Sequence, residues 1–394
     1  MTVGLMRFNR TVLQVIPALQ SGGAERTTLE IARAIIAAGG RALVATSGGR
    51  LAEDIEALGG KVFPMPVHSK NPLAMIANRG RLLRLIGEER VDLLHVRSRA
   101  PAWPALWAAR KARIPLVATY HGVHRAGNPV KRFYNSAMAR ADIVIANSEF
   151  TAAAIRGSYR IDDSRLRVIP RGADLAVFDP AAVAPERVEV LARRWGLTPA
   201  PGGALRLLLP GRLTALKGHD VVVEAAHLLK QGRGSGQPAL LQLVFAGDER
   251  APGDSAALAH LIDKRGVRDM IHLVGHCADM AGAYAWSDAA LAPSIWPEAF
   301  GRVAVEAGAM GKPTVASDHG GARATIVDGE TGLLTKPGDS AALARAIETL
   351  AEMGPAGRAA MGARAYARVR RLYSIEAMQN ATLDAYEAAM KRGA

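Results

Sequence analysis

The sequence predicts an α/β protein with two doubly wound, mostly parallel sheets, and three observations carry that expectation. Short β-branched runs alternate with helical patterns along the chain, as they do where helices cover both faces of a parallel sheet. At 394 residues the chain exceeds one ordinary core, so two domains are expected. The alternation is interrupted once, at "DPAAVAPERVEVLARRWGLTPAPGGAL" (179–205), where Pro180, Pro185, Pro199 and Pro201 mark a linker with one short helix. The expected boundaries are 1–185 for the first domain, 186–372 for the second, and 373–394 for a last helix crossing back to the first. Two such domains would leave a cleft at the carboxyl ends of their strands, where these folds bind ligands.

In the first half, "TVLQVI", "RALVAT", "KVFPMPV", "VDLLHV", "PLVATY" and "DIVIANS" read as strands. "AERTTLEIARAIIAAGG" reads as a helix with apolar Leu29, Ile31, Ile35 and Ile36 and a stop at Gly39. The second half repeats the plan with "LRLLLPG", "DVVVEAAHLLKQ", "LQLVFAGD", "IHLVGH", "AALAPS", "PTVAS" and "AALARAIETLAEM".

Apolar residues make up 49% of the chain and charged residues 22%, which is a globular composition. A single cysteine, Cys277, excludes an internal disulfide framework and fits a reducing compartment. No secretory signal precedes the first strand, and no apolar run approaches the roughly 18–20 residues of a membrane span. A soluble, cytoplasmic protein is expected. The net charge of +14 is lopsided, with a balance of +12 over residues 1–180 and +2 over 181–394. Such a field suits an anionic membrane surface, nucleic acid or an acidic substrate, and a merely solvated basic surface fits it too.

Four stretches carry candidate chemistry. "IPALQSGGAERTT" places Gly22 and Gly23 where a strand gives way to a helix; an anion site and a plain turn both fit. "LLPGRLTALKGHD" puts Arg212 and Lys217 on one loop beyond a strand, where two fixed cations suit a diphosphate; no Walker pattern is present. "SIWPEAFGRVAVEAGAM" sets Glu298 just before a helix expected to begin near Phe300, and Glu306 about two turns inside it. The amides of Gly301, Arg302 and Val303 lie between them, in a place suited to phosphate. "VATYHGVH" ends a strand on His121, beside Gly122, where cleft residues belong, although a structural histidine is the commoner case. His124, His219 and His276 have no metal-ligand spacing with it, and no essential metal is expected.

These pieces, in this order, resemble glycosyltransferase family 4, retaining enzymes of the GT-B architecture with two Rossmann-like domains. The run from "PGRLTALKG" through "AGD", "VGH", "YAWSDAALAPS", "PEAFGRVAVEAGAMGKPTVAS" and "VDGETGLL" is similar to that family's second domain, with its E-x7-E motif at Glu298 and Glu306. "SGGAER", "SKNP", "VRSRAPAWPA" and "TYHG" look like bacterial lipopolysaccharide-core enzymes. The resemblance implies that Arg212 and Lys217 clamp a donor diphosphate. It implies that Glu298 holds hydroxyls of the transferred sugar and Glu306 those of the ribose, with the backbone at Phe300, Gly301, Arg302 and Val303 near the donor. Gly22 and Gly23 would approach the phosphates, His121 the sugar near its reacting carbon, and Gly275 and His276 the base. One departure is Ala324, where the family often has a glutamate after "HGGA".

The expected activity is metal-independent, retaining transfer of a hexose, with mannose the leading candidate, from a GDP- or UDP-linked donor, without a further cofactor. The expected acceptor is a lipid-linked or anionic saccharide of lipopolysaccharide-type envelope synthesis. The basic first domain would dock peripherally on the inner face of the cytoplasmic membrane through Arg79, Arg81, Arg84, Lys131 and Arg132. A small soluble acceptor is the nearest alternative, and a nucleotide-sugar sensor without activity is another. A nucleic-acid-binding protein is disfavoured because aromatics are only 5%, few for stacking bases, and no nucleic acid partner is expected. No GxGxxG follows the first strand, which disfavours a nicotinamide dehydrogenase.

Overall fold

The computed structural model describes residues 7–20, 22–123, 128–197, 204–232 and 241–393. Ser21, His124, residues 198–203 of the proline-rich segment and the first six residues of the chain lie outside the described residues. The chain forms two compact units, Met1–Gly172 with Ile375–Ala394, and Ala173–Ser374.

The first unit holds strands β1 (Thr11–Val15), β2 (Arg41–Thr46), β3 (Lys61–Pro64), β4 (Leu93–Val96), β5 (Leu116–Tyr120), β6 (Ile143–Ala146) and β7 (Leu166–Val168). All pair in parallel, in the order β3-β2-β1-β4-β5-β6-β7. Alternation along β1 sends Leu13 and Val15 to one core and Val12 to the other, because successive side chains leave opposite faces. The first core packs against the Pro72–Glu88 and Ala102–Ala112 helices, the second against Gly23–Ala37 and Ile375–Gly393. Gly39 sits at φ +90, just past the first helix, where the expected stop lies.

The second unit holds β8 (Leu205–Pro210), β9 (Leu241–Ala246), β10 (Ile271–Gly275), β11 (Ala289–Ala292), β12 (Thr314–Ser317) and β13 (Gly332–Thr335). They are again all parallel, in the order β10-β9-β8-β11-β12-β13. Two doubly wound sheets are what the alternating pattern predicts. "DVVVEAAHLLKQ" folds as the His219–Gln231 helix, which covers one face.

The boundary departs from the expectation of 185. Ala173, Leu175 and Phe178, ahead of the proline-rich segment, and Val183 within it pack into the second unit's core beside Tyr284 and Phe300. The second crossing falls between Ser374 and Ile375, two residues beyond the expected 372. A parallel bridge from Ala173 to Ser374 and a bond from the Ala173 amide to the Tyr373 carbonyl (2.8 Å) hold both crossings in the second unit.

The terminal helix is tied into the first unit by Tyr386, which is fully buried. Its hydroxyl lies 2.7 Å from His95 Nδ1, and its ring contacts Phe8 at a centroid distance of 5.8 Å. Tyr386→Ala should destabilise the first unit by about 3–5 kcal/mol, against about 1 kcal/mol for Tyr386→Phe, which keeps the packing. Chemical denaturation followed by a probe in that unit reads both values.

Candidate functional site

In the second unit the order reverses between β8 and β11, and the crevice outside their carboxyl ends is where a doubly wound sheet takes its ligand. Beyond β8 the chain runs through Gly211 and Arg212 into a 3₁₀ turn, Ala215–Lys217. Beyond β11 it runs through Pro293 and Ser294 to Glu298. A bond from the Ile295 amide to the Leu216 carbonyl (2.9 Å) joins the two segments. Gly218 permits this closeness: it sits at φ +74, and a Cβ there would lie 2.1 Å from the Pro293 carbonyl oxygen.

Lys217 and Glu298, 81 residues apart, meet here as an ion pair, Nζ to Oε1 at 2.7 Å, both partly buried. Ser294, itself buried, donates its hydroxyl to the same oxygen. Burial by itself would raise the Glu298 carboxyl; the charge and hydrogen bond of Lys217, and the Ser294 hydroxyl, outweigh it and hold the group below its ordinary value. Arg212 is exposed on the same loop. Lys217 and Glu298 are thus brought together, with Arg212 alongside in chain.

The helix expected from Phe300 begins at Arg302 instead, because Gly301 adopts φ +87, a left-handed conformation no helix admits. Glu306 consequently lies one turn from the helix start rather than two. Arg302 pairs with Glu306 Oε1 (Nη2 at 3.0 Å), and the Tyr284 hydroxyl donates to Oε2 (3.1 Å). Desolvation foremost, and Glu306 second, push the Tyr284 phenol well above its ordinary value, so it stays neutral and donates this hydrogen bond at neutral pH. Phe300 and Val303 are core residues, leaving only their backbone for a ligand.

The loop after β12 closes one side of the site. The Gly321 amide donates to the Glu298 carbonyl (2.8 Å), and a Cβ on Gly320 would lie 2.5 Å from that same oxygen. His319 on this loop has two buried ring nitrogens that meet no hydrogen-bond partner among the described residues. Gly275 ends β10, and just past it His276 Nδ1 lies 3.2 Å from Asp248 Oδ2 at an exposed position. Ala324 brings no carboxylate to this loop; its carbonyl accepts from Arg368 (2.7 Å) and Tyr373 (2.6 Å).

In the first unit, Gly22 caps the Gly23–Ala37 helix, and its amide donates to the Glu25 carboxylate. Gly23 leaves room for Arg171, whose Nη1 would stand 2.2 Å from a Cβ there. His121 follows β5, and its Nδ1 accepts from Arg171 Nη2 at 3.0 Å; guanidinium only donates, so the ring's proton sits on Nε2. Among the described residues no three His, Cys, Asp or Glu side chains gather as a metal site requires. Sequence reasoning passed over Ser294, Tyr284, His319 and Arg171. Ser294 was legible as a hydroxyl just past a strand end, whereas Tyr284 and Arg171 reach their partners only through the fold.

Residues 21–177 match the profile described as Glycosyltransferase Family 4, and residues 198–368 that described as Glycosyl transferases group 1. The chain is 32% identical over 332 residues to a protein of Arthrobacter sp. (strain FB24) named D-inositol 3-phosphate glycosyltransferase, covering 80% of this chain and 75% of that one. The crystal structure of a glycosyltransferase from Rickettsia africae ESF-5 superposes with a TM-score of 0.89 at 32% identity, covering 97% and 99% of the two chains. The fold is also that of Anabaena Alr3699/HepE, solved in complex with UDP, at a TM-score of 0.82 and 24% identity over 95% of this chain and 98% of that one.

Replacing Lys217 by Met removes the main influence that opposes burial at Glu298 and leaves only the Ser294 hydroxyl and His319, so its carboxyl should titrate higher than in the unmodified protein. Carboxyl-carbon NMR reads the direction. A depressed folded pKa stabilises the protein fully above the unfolded value, and that contribution fades as pH falls through the folded one. The second unit should therefore lose the stability contributed by this pair only below pH 4.5, and the Lys217→Met variant should lack that acid limb.

Proposed function

The chain belongs to glycosyltransferase family 4, and on that premise we propose that it moves a hexose from a nucleotide-diphosphate sugar to an anionic saccharide acceptor with retention of configuration. The observation that carries this reading is the Lys217–Glu298–Ser294 cluster at the β8/β11 crevice, with Glu306 one helix further on. Lys217 and Arg212 neutralise the donor diphosphate, and the charge that develops as it leaves is met by fixed cations, the oxyanion-stabilising form of catalysis. Glu298, kept ionised, accepts from sugar hydroxyls, and Glu306 from the ribose; each carboxylate retains lone pairs beyond those already used.

The bond from the anomeric carbon to the diphosphate oxygen breaks as the bond to the acceptor oxygen forms on the same face. The acceptor's proton passes to the leaving phosphate, so no protein base is needed. The diphosphate is neutralised without a metal ion. GDP and UDP sugars share the groups these residues address, with mannose the leading sugar.

The acceptor we favour is a lipid-linked or acidic saccharide of envelope glycan synthesis at the inner membrane face. No helix among the described residues is long and apolar enough to cross a membrane. On the Pro129–Asn135 helix the exposed Val130 and Phe133 interleave with exposed Lys131 and Arg132, and on Pro72–Glu88 the exposed Leu73 and Ile76 accompany Arg81 and Arg84. Apolar and basic residues mixed in this way suit an anionic lipid interface. A second reading, a small phosphorylated polyol as acceptor, is favoured by the name of the Arthrobacter relative.

A thermal-shift screen with GDP, UDP, ADP and their sugars, in EDTA, should show one selective nucleotide shift; at a hundredfold excess over Kd it corresponds to about 2.7 kcal/mol. Lys217→Ala should lower kcat by about 100- to 1,000-fold. No shift with any nucleotide, or a glycosyl adduct trapped on Glu298, would defeat the mechanism. For the membrane face, removing Arg81, Arg84, Lys131 and Arg132 together should weaken binding to anionic liposomes by about 1 kcal/mol per cation. Unchanged liposome binding in that variant would leave the small polyol as acceptor.

A further inference from the structure

The first unit has its own reversal of strand order, between β1 and β4, and a cavity of about 290 Å³ sits at the carboxyl ends of these strands. Its wall includes Arg97, Ser98 and Arg99 just past β4, Thr119 and His121 at the end of β5, and Glu25. Arg97 is 2% exposed. Its Nη1 donates to Gln14 Oε1 at 2.7 Å and stands 3.4 Å from His95 Nδ1. Among the described residues its Nε and Nη2 reach no acceptor, and no carboxylate lies within ion-pair distance.

The groups that hold Arg97 are neutral. Gln14 is fixed by its own bond to the Thr28 carbonyl (3.1 Å). His95 is fully buried, and desolvation, with the charge of Arg97 second, holds it well below its ordinary pKa. Its Nδ1 faces donors in Arg97 and Tyr386, so its proton is on Nε2, directed at Thr119 Oγ1 (2.7 Å). Glu30 acts on Arg97 only at longer range, and Glu25 is engaged with the Gly22 amide. Burial pushes the guanidinium down to about 10, with Tyr386 and the more distant Glu30 offsetting only part of that cost. Arg99 adds a second, half-buried cation, held by Asn135 Oδ1 at 3.3 Å. A buried charge without a countercharge is costly, and a fork with open donors suits a planar or tetrahedral anion.

We propose that this cavity binds the acidic group, carboxylate or phosphate, of the acceptor, with Arg97 as its bidentate ligand and Arg99 as the second cation. Only the word acceptor rests on the transferase reading; the anion site stands on the geometry of the first unit.

The test is calorimetric titration of the full chain, without donor, with glucuronate, glucose 6-phosphate and glucose. One charged sugar should bind at least tenfold more tightly than glucose, and whichever of the two binds better identifies the acidic group. Arg97→Gln and Arg99→Gln should each weaken that binding at least tenfold while the nucleotide thermal shift stays intact. Since Arg97 is buried, Arg99→Gln keeps the test open should Arg97→Gln misfold. Glucose binding as tightly as both charged sugars, or affinity unchanged in the folded variants, would overturn the proposal. Selective anion binding without any nucleotide shift would support the site and sink the transferase reading, so the two failures are distinguishable.

Discussion

Both chemical features of this protein depend on one constraint of parallel sheets. Each strand must be reached by a right-handed crossover over one face, and where successive crossovers take opposite faces the strand ends between them are left uncovered. The orders β3-β2-β1-β4 and β10-β9-β8-β11 each contain one such place. The Lys217–Glu298 pair lies at the second unit's, and the Arg97 cavity at the first's. Neither group of residues is contiguous in sequence; each is assembled from segments that follow different strands.

The two places handle charge differently. At β8/β11 the groups that would hold a donor already hold each other, Lys217 with Glu298 and Arg302 with Glu306. Glu298 stays ionised because Lys217 and Ser294 offset its desolvation, and at both pairs a ligand exchanges one set of partners for another. At β1/β4 the guanidinium of Arg97 is oriented by Gln14 and His95 but not neutralised. Neutral hydrogen-bond partners fix direction and leave the charge available.

Close backbone contact makes the donor site narrow. Gly218 lets the Lys217 turn lie against the end of β11, and Gly320 and Gly321 let the loop after β12 hydrogen-bond to the backbone of Glu298. A side chain at Gly218 or Gly320 would push apart the segments that bring lysine to glutamate. On the first unit's other side, Tyr386 of the last helix completes the clamp on His95, so the chain's end supports residues near its beginning.

Much of this was legible in one dimension. Alternating apolar runs announce parallel strands because burial on both faces demands them, and the fold follows from that pattern alone. Arg212, Lys217, Glu298 and Glu306 were legible through the order of motifs that resembles the family, since on spacing alone the same charges also fit solvated surface positions. The domain boundary was not, since Leu175 and Phe178 read as the end of the first domain until the second core is there to receive them. The start of the helix at Arg302 was hidden because a glycine's left-handed conformation is set by its surroundings, not by its neighbours in sequence. Gln14 lies on β1 and His95 on β4, with Arg97 just past β4, and β5 meets them through Thr119. Local pattern therefore specified the elements and the chemistry on them, whereas pairing across the sheet decided which charges are cancelled and which are left to act.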